Sequence, residues 1–173
     1  MALDSLVIQD QLVATFGDSV SDFKQEKDIF SFEVTAANNT AVILFLKNSE
    51  ELKFHFLTDL CGIHYPDNET NRQFAIVYHM HNWYENKRIK IKAYISGENP
   101  TIKTVTNIFL SSNWMERETF DFFGINFIGH PNLKRILNMD EMVSFPMRKE
   151  FPMEDSGRTD KDDRFFGRTT TNS

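Results

Sequence analysis

Cys61 is the one cysteine among 173 residues. A single thiol rules out an intrachain disulfide and a cysteine-held iron–sulfur cluster within this chain. Long apolar runs are missing too. None approaches the ~18 residues a membrane-spanning helix needs, so membrane contact is expected only through partners. Positive charge is scarce: 19 Lys and Arg face 25 Asp and Glu, a formal net charge of -6. That balance argues against general nucleic-acid binding, which needs a basic face to neutralise phosphates. Met1-Ala2-Leu3-Asp4 has neither the positive segment nor the apolar stretch of a signal peptide, and the expected location is the cytosolic side. Phenylalanine, by contrast, is abundant, with 17 copies; such an aromatic load marks buried interfaces as well as core. A composition of 40% hydrophobic and 25% charged residues fits a globular chain, and the length suits one domain with a real core.

Apolar Leu3, Leu6, Val7, Leu12, Val13 and Phe16 step at helical spacing up to Gly17. Asp18 to Asp28 reads as a polar connection. Ile29, Phe30, Phe32 and Val34 predict a first strand, and Val42, Leu44, Phe45 and Leu46 a short helix capped by Asn39 or Thr40; a buried strand fits that short run equally. Leu52, Phe54, Phe56 and Leu57 lead into Asp59 to Pro66, and Asp67 to Arg72 forms a loop. Phe74, Ile76, Tyr78 and Met80 alternate, and Ile89, Ile91, Ala93 and Ile95 answer them with Arg88, Lys90 and Lys92 on the opposite face. These two runs predict an antiparallel hairpin with one wet face. Val105, Ile108, Phe109, Ser112, Met115, Phe120 and Phe123 form an apolar stripe, predicting a helix from about Thr104 to Phe123 closed by Gly124. The whole is an α+β fold: a mixed or antiparallel sheet of about four strands, helices packed on one face, and an extended C-terminal segment.

Chemistry concentrates between Asn113 and Pro152. Arg117 and Asp121 are i,i+4 neighbours able to pair across one helical turn. Glu116 and Glu118, two apart on a helix, do not face each other, and His130 with scattered carboxylates matches no ligand spacing such as HExxH. Ion pairing and turn capping therefore outweigh an acid–base or metal site. Cys61 and His64 make half a zinc motif, and a buried core cysteine is the better reading. His79 and His81 share a strand face without a third ligand. Lys134-Arg135 and Arg148-Lys149 differ in kind: two basic pairs on proline-bracketed extended chain offer charge-assisted hydrogen bonds at low entropic cost. Exposed surface patches and a partner-docking role are evenly matched on the residues alone. The last twenty residues are polar and read as disordered, with Phe165 and Phe166 as a hint of docking.

The run ERETFDFFGINFIGHPNLKRIL, followed by FPMRKEFP, closely resembles the C-type, 30-kDa subunit family of proton-pumping NADH:quinone oxidoreductase, respiratory complex I. The resemblance rests on Glu116, Arg117, Glu118, Asp121, Phe123, Gly124, Ile125, Gly129, His130, Pro131, Leu133, Arg135, Pro146, Arg148, Lys149 and Pro152. Asn132, Met147 and Glu150 depart mildly from its pattern. It implies a cofactor-free structural subunit of the peripheral arm, packed on the D-type subunit that helps form the quinone site. The B-type and I-type iron–sulfur subunits are implied nearby, while FMN and iron–sulfur clusters sit in partner subunits. It also implies the cytoplasmic side of a bacterial inner membrane, and it tips the two basic pairs toward docking. The expected division is a core over 1–124, a partner-docking segment over 125–153 and a polar tail over 154–173. The equivalent subunit of a related membrane-bound hydrogenase or other-donor dehydrogenase is the alternative; a free-standing hydrolase using Glu116, Glu118 or His130 is the rival from another class.

Overall fold

A computed structural model describes residues 4–97 and 99–151. Its centre is a five-stranded sheet in the order β1-β2-β5-β4-β3, formed by β1 (Val20–Glu26), β2 (Ile29–Thr35), β3 (Phe56–His64), β4 (Phe74–Asn82) and β5 (Lys87–Ile95). β2 runs parallel to β5 and the other pairs are antiparallel. Register aligns Phe32, Ile91, Tyr78 and Leu60 side by side across four strands, and all four are buried. Period-two alternation places Phe30, Val34, Ile76, Met80, Ile89 and Ala93 on that same face.

Helices cover this face. α1 (Ser5–Phe16) contributes Ile8 and Leu12 to the core, and α2 (Asn39–Asn48) contributes Val42, Ile43 and Leu46. α2 is also tied to the sheet where the buried Asn39 amide donates to Tyr78 Oη at 3.0 Å. α3 (Ser112–Phe123) lies over β3 so closely that a Cβ on Gly62 would meet the Thr119 and Phe123 side chains at 2.9 and 2.8 Å. The α+β class, the mixed sheet and the one-sided helices are as the sequence pattern predicts.

Three details differ. The expected polar connection contains β1, so the sheet has five strands rather than four. As an edge strand, β1 buries Val20 while most of its other residues are exposed, and it is bulged between Ser21 and Lys24 with Asp22 at φ 51°; an edge with a bulge shows no clean alternation. The helix expected from Thr104 begins only at Ser112. Thr101–Lys103 instead form β6, paired in parallel with β7 (Asn126–Ile128), and Val105 and Phe109 reach the core from a turn in which the Val105 carbonyl accepts from the Ile108 and Phe109 amides. Finally, Ile125 and Phe127 are buried through β7, so the core continues to Ile128 and the extended chain starts after it. The tail from Pro152 onward, with Phe165 and Phe166, lies outside the described residues.

Candidate docking surface

Residues 129–151 form a strap with no regular helix or strand, laid along α3. An irregular segment of this kind must find partners for its backbone groups outside any ladder, and the charged residues of α3 supply them. The Asp121 carboxylate is fully buried and accepts five hydrogen bonds. These come from the Ile136, Leu137 and Asn138 amides, the Asn138 side chain, and Arg135 Nη1 at 2.7 Å. Burial alone would raise this carboxyl; the donors outweigh it and hold the group well below the usual carboxylate range.

Arg135, its side chain only 8% exposed, also donates to the carbonyls of Asp121, Met142 and Ser144. The i,i+4 pair of Arg117 with Asp121 is thus replaced by a longer-range one. Arg117 points the other way, donating from Nε to Lys134 O and from Nη2 to Arg135 O, with its guanidinium 4.8 Å from the Trp114 ring centroid. Burying two arginines on carbonyls and one carboxylate satisfies more donors than a single helical salt bridge does.

Farther along, Arg148 Nε donates to Phe123 O at 2.8 Å, and its guanidinium lies over the Phe74 and Phe145 rings. Gly124, in the left-handed region at φ 71°, leaves room for this seat: a Cβ there would stand 2.5 Å from Phe145 and 2.7 Å from Arg148. His130 bridges strap and helix as a neutral ring, Nε2 donating to Asn113 O and Nδ1 accepting from the Asn132 amide. Burial lowers its proton affinity, which suits that role. His64, stacked on Phe74, accepts the Lys149 amide at Nδ1, and burial lowers its proton affinity likewise.

Glu116 faces inward from α3. Its carboxylate accepts the Thr104 hydroxyl and the Val105 amide, pinning the turn between β6 and α3. Burial pushes this group up to about 6 against those hydrogen bonds. Glu118, Pro131, Lys134 and Lys149 are exposed. Each basic pair therefore divides its labour: the arginine secures the strap, and the lysine faces outward. Among the described residues, no group of three His, Cys, Asp or Glu side chains is placed to hold a metal ion, and no helix is long and apolar enough to cross a membrane.

The strap's outer side carries what the motif does not reveal. Leu137, Met139, Val143, Met147 and Phe151 are all exposed, Val143 to 94%. Their signal in sequence is an aperiodic scatter of apolar residues between Pro131 and Pro152, which neither a helix nor a strand would bury. Side chains of this kind, held outward on a fixed backbone, make the outer side of the strap the candidate docking surface.

Known proteins agree with this architecture. The model of the family described as "Respiratory-chain NADH dehydrogenase, 30 Kd subunit" matches residues 32–157. The C-type subunit 2 of NADH-quinone oxidoreductase from Rhizobium meliloti (strain 1021) is 39% identical over 143 residues, 82% of this chain and 76% of the relative. The C-type subunit of NADH-quinone oxidoreductase from Roseiflexus castenholzii (strain DSM 13941 / HLO8) is 35% identical over 168 residues, 96% of this chain and 95% of the relative. Among solved structures, the trypsin-resistant fragment (1-134) of Nqo5 superposes with a TM-score of 0.62 at 25% identity, covering 75% of this chain and all of that one. A chain from the membrane-bound sulfane sulfur reductase, an archaeal respiratory membrane complex, shares the fold with a TM-score of 0.72 at 23% identity, over 86% of this chain and 85% of that one. With a family match spanning most of its length and relatives this similar from end to end, the chain belongs to the 30-kDa subunit family of respiratory-chain NADH dehydrogenase.

Proposed function

We propose that the chain is a cofactor-free structural subunit of the peripheral arm of NADH:quinone oxidoreductase, and that the strap is its docking element for the D-type, quinone-site subunit. The B-type and I-type subunits lie nearby in this reading, and partner subunits hold the FMN and the iron–sulfur clusters that carry electrons from NADH to quinone. The chain then takes no part in the redox chemistry and meets the bacterial inner membrane, on its cytoplasmic side, only through those partners. One observation carries the reading: five exposed apolar side chains stand on a strap whose backbone is already fixed by Asp121, Arg117, Arg135 and Arg148. A surface ordered before binding avoids the entropic cost of ordering it on contact. The roles of the family-motif residues follow from this arrangement. Glu116, Arg117, Asp121, Gly124, His130, Arg135 and Arg148 shape the surface, while Glu118, Pro131, Lys134 and Lys149 stand at the solvent side, where a partner would meet them.

The test is Val143→Asp with Met139→Asp in the tagged full chain, purified from detergent-solubilised membranes. The expected result is a thermal melt of the purified chain within a degree or so of the parent, together with loss of co-purifying flavin, iron and inhibitor-sensitive NADH:quinone activity. Undiminished recovery of all three would refute the docking role of the strap. Iron without flavin from the parent chain would instead point to a relative fed by another electron donor.

A further inference from the structure

The face of the sheet opposite the helices carries a second surface, at the end farthest from the strap's attachment to His64. Register places Phe56 beside His81 and His81 beside Arg88, one row across three strands. Trp83 stacks on Phe56 with ring centroids 5.6 Å apart and 13° between planes, and Tyr84 stands edge-on to His55. Phe56, Trp83 and Tyr84 are 44, 60 and 73% exposed. These aromatics sit on a braced turn. The Asn82 side chain accepts the Tyr84 and Glu85 amides and donates to the buried Leu52 carbonyl, while His81 meets Asn86. Exposed rings on a rigid turn, rather than a loose tip, are the usual anchors of a protein interface.

Charge narrows the choice of occupant. Arg88, Lys90 and Lys92 alternate along β5 on this open face. Lys90 pairs with Glu26, and the Lys92 ammonium lies over the Tyr65 and Tyr94 rings. Arg88 is exposed, in the aromatic row, and in no salt bridge among the described residues. A guanidinium takes a carboxylate through two parallel hydrogen bonds. Glu26 and Asp28 line the same hollow as Arg88, so the site suits one carboxylate placed on the guanidinium and not the continuous negative charge of a lipid surface. We propose that the patch of Phe56, Trp83 and Arg88 is a second docking site, for an acidic segment of a neighbouring protein in the assembly. An Asp or Glu of that segment pairs with Arg88, and an adjacent apolar side chain covers the Phe56–Trp83 stack. The proposal rests on the reading that this chain works inside a multi-subunit assembly.

The experiment uses the full chain in the purified complex, with photoreactive benzoylphenylalanine at position 83 and, in a separate sample, at position 143 on the strap. After irradiation, cross-linked peptides are identified by mass spectrometry. The expected product from position 83 is an adduct with one other protein of the complex, on a peptide containing Asp or Glu. Arg88→Glu should lower its yield about ten-fold, Arg88→Gln less, and neither should change the yield from position 143. An adduct insensitive to Arg88→Glu overturns the proposal, as do adducts only with lipid or with a second copy of this chain. Silence at position 83 while position 143 reacts overturns it alone. Silence at both positions removes the docking reading of the strap and the proposal together.

Discussion

Asp121 joins more of the strap than any other α3 side chain, because one buried carboxylate serves three backbone amides, an amide side chain and a guanidinium. Replacing it by Asn keeps the shape and removes the charge, leaving Arg135 buried without its counter-ion. Breaking a buried pair in this one-sided way costs about 3–5 kcal/mol. Urea unfolding of Asp121→Asn should show a loss in that range, and a loss below about 1 kcal/mol would mean the guanidinium is satisfied by its carbonyls alone. The sign of the pH effect follows from the lowered carboxyl: its stabilisation is complete above the ordinary value of 3.8 and is lost as pH falls below it. Gly124→Ala is a second single-residue case. The left-handed backbone disfavours a side chain, and the new methyl would strike Phe145 and Arg148. Destabilisation should exceed the ~1 kcal/mol of an ordinary left-handed Gly→Ala change, with cleavage by added protease appearing near Phe145.

Among elements, the strap offers the clearest separation of structural from contact roles. Arg148→Ala removes the bond to Phe123 O and the stacking on Phe74 and Phe145, whereas the Lys149 ammonium is exposed and only its backbone amide is engaged. Hydrogen exchange over 142–151 should therefore accelerate about ten-fold in Arg148→Ala and stay unchanged in Lys149→Ala; equal behaviour of the two would contradict the division. This division is only half legible in the sequence. The spacing of ERE, FG, GHP and the two basic pairs reveals that the residues act together. Whether an arginine turns inward or outward depends on carbonyls seven to twenty-five residues away, which no local pattern reports. The β4–β5 hairpin and the glycine caps at Gly17 and Gly124 are readable because their causes are local: alternation, and a positive φ at a helix end. β1 and the start of α3 are not. One is an edge strand relieved of alternation, and in the other two core residues reach inward from a turn and imitate helical spacing.

For the whole molecule, Glu116 provides a test that reaches across the core. It is buried on α3 and holds the turn that follows β6; on the central sheet, burial disfavours ionisation of the Tyr78 phenol and the Glu116 charge adds to that effect. Burial raises its carboxyl from 4.5 to about 6, against the hydrogen bonds of Thr104 and Val105. A carboxyl raised on folding binds a proton that the unfolded chain releases, so stability falls as pH rises between those two values and is level above them. At about 1.36 kcal/mol per unit the full drop is ~2 kcal/mol. His64 and His130 act in the opposite sense, since burial lowers their proton affinity and stability is lost as pH falls through 6.5. Glu116→Gln separates the two effects. A glutamine carbonyl can accept the Val105 amide and its NH2 can donate to the Thr104 hydroxyl, reproducing the protonated acid without a titration, while both histidines remain. Unfolding free energies of parent and variant, measured from pH 4 to pH 8 and subtracted, should be nearly equal at pH 4 and diverge in favour of the variant by ~2 kcal/mol by pH 7. A flat difference would show that folding leaves the Glu116 carboxyl at its ordinary value, its hydrogen bonds offsetting its burial.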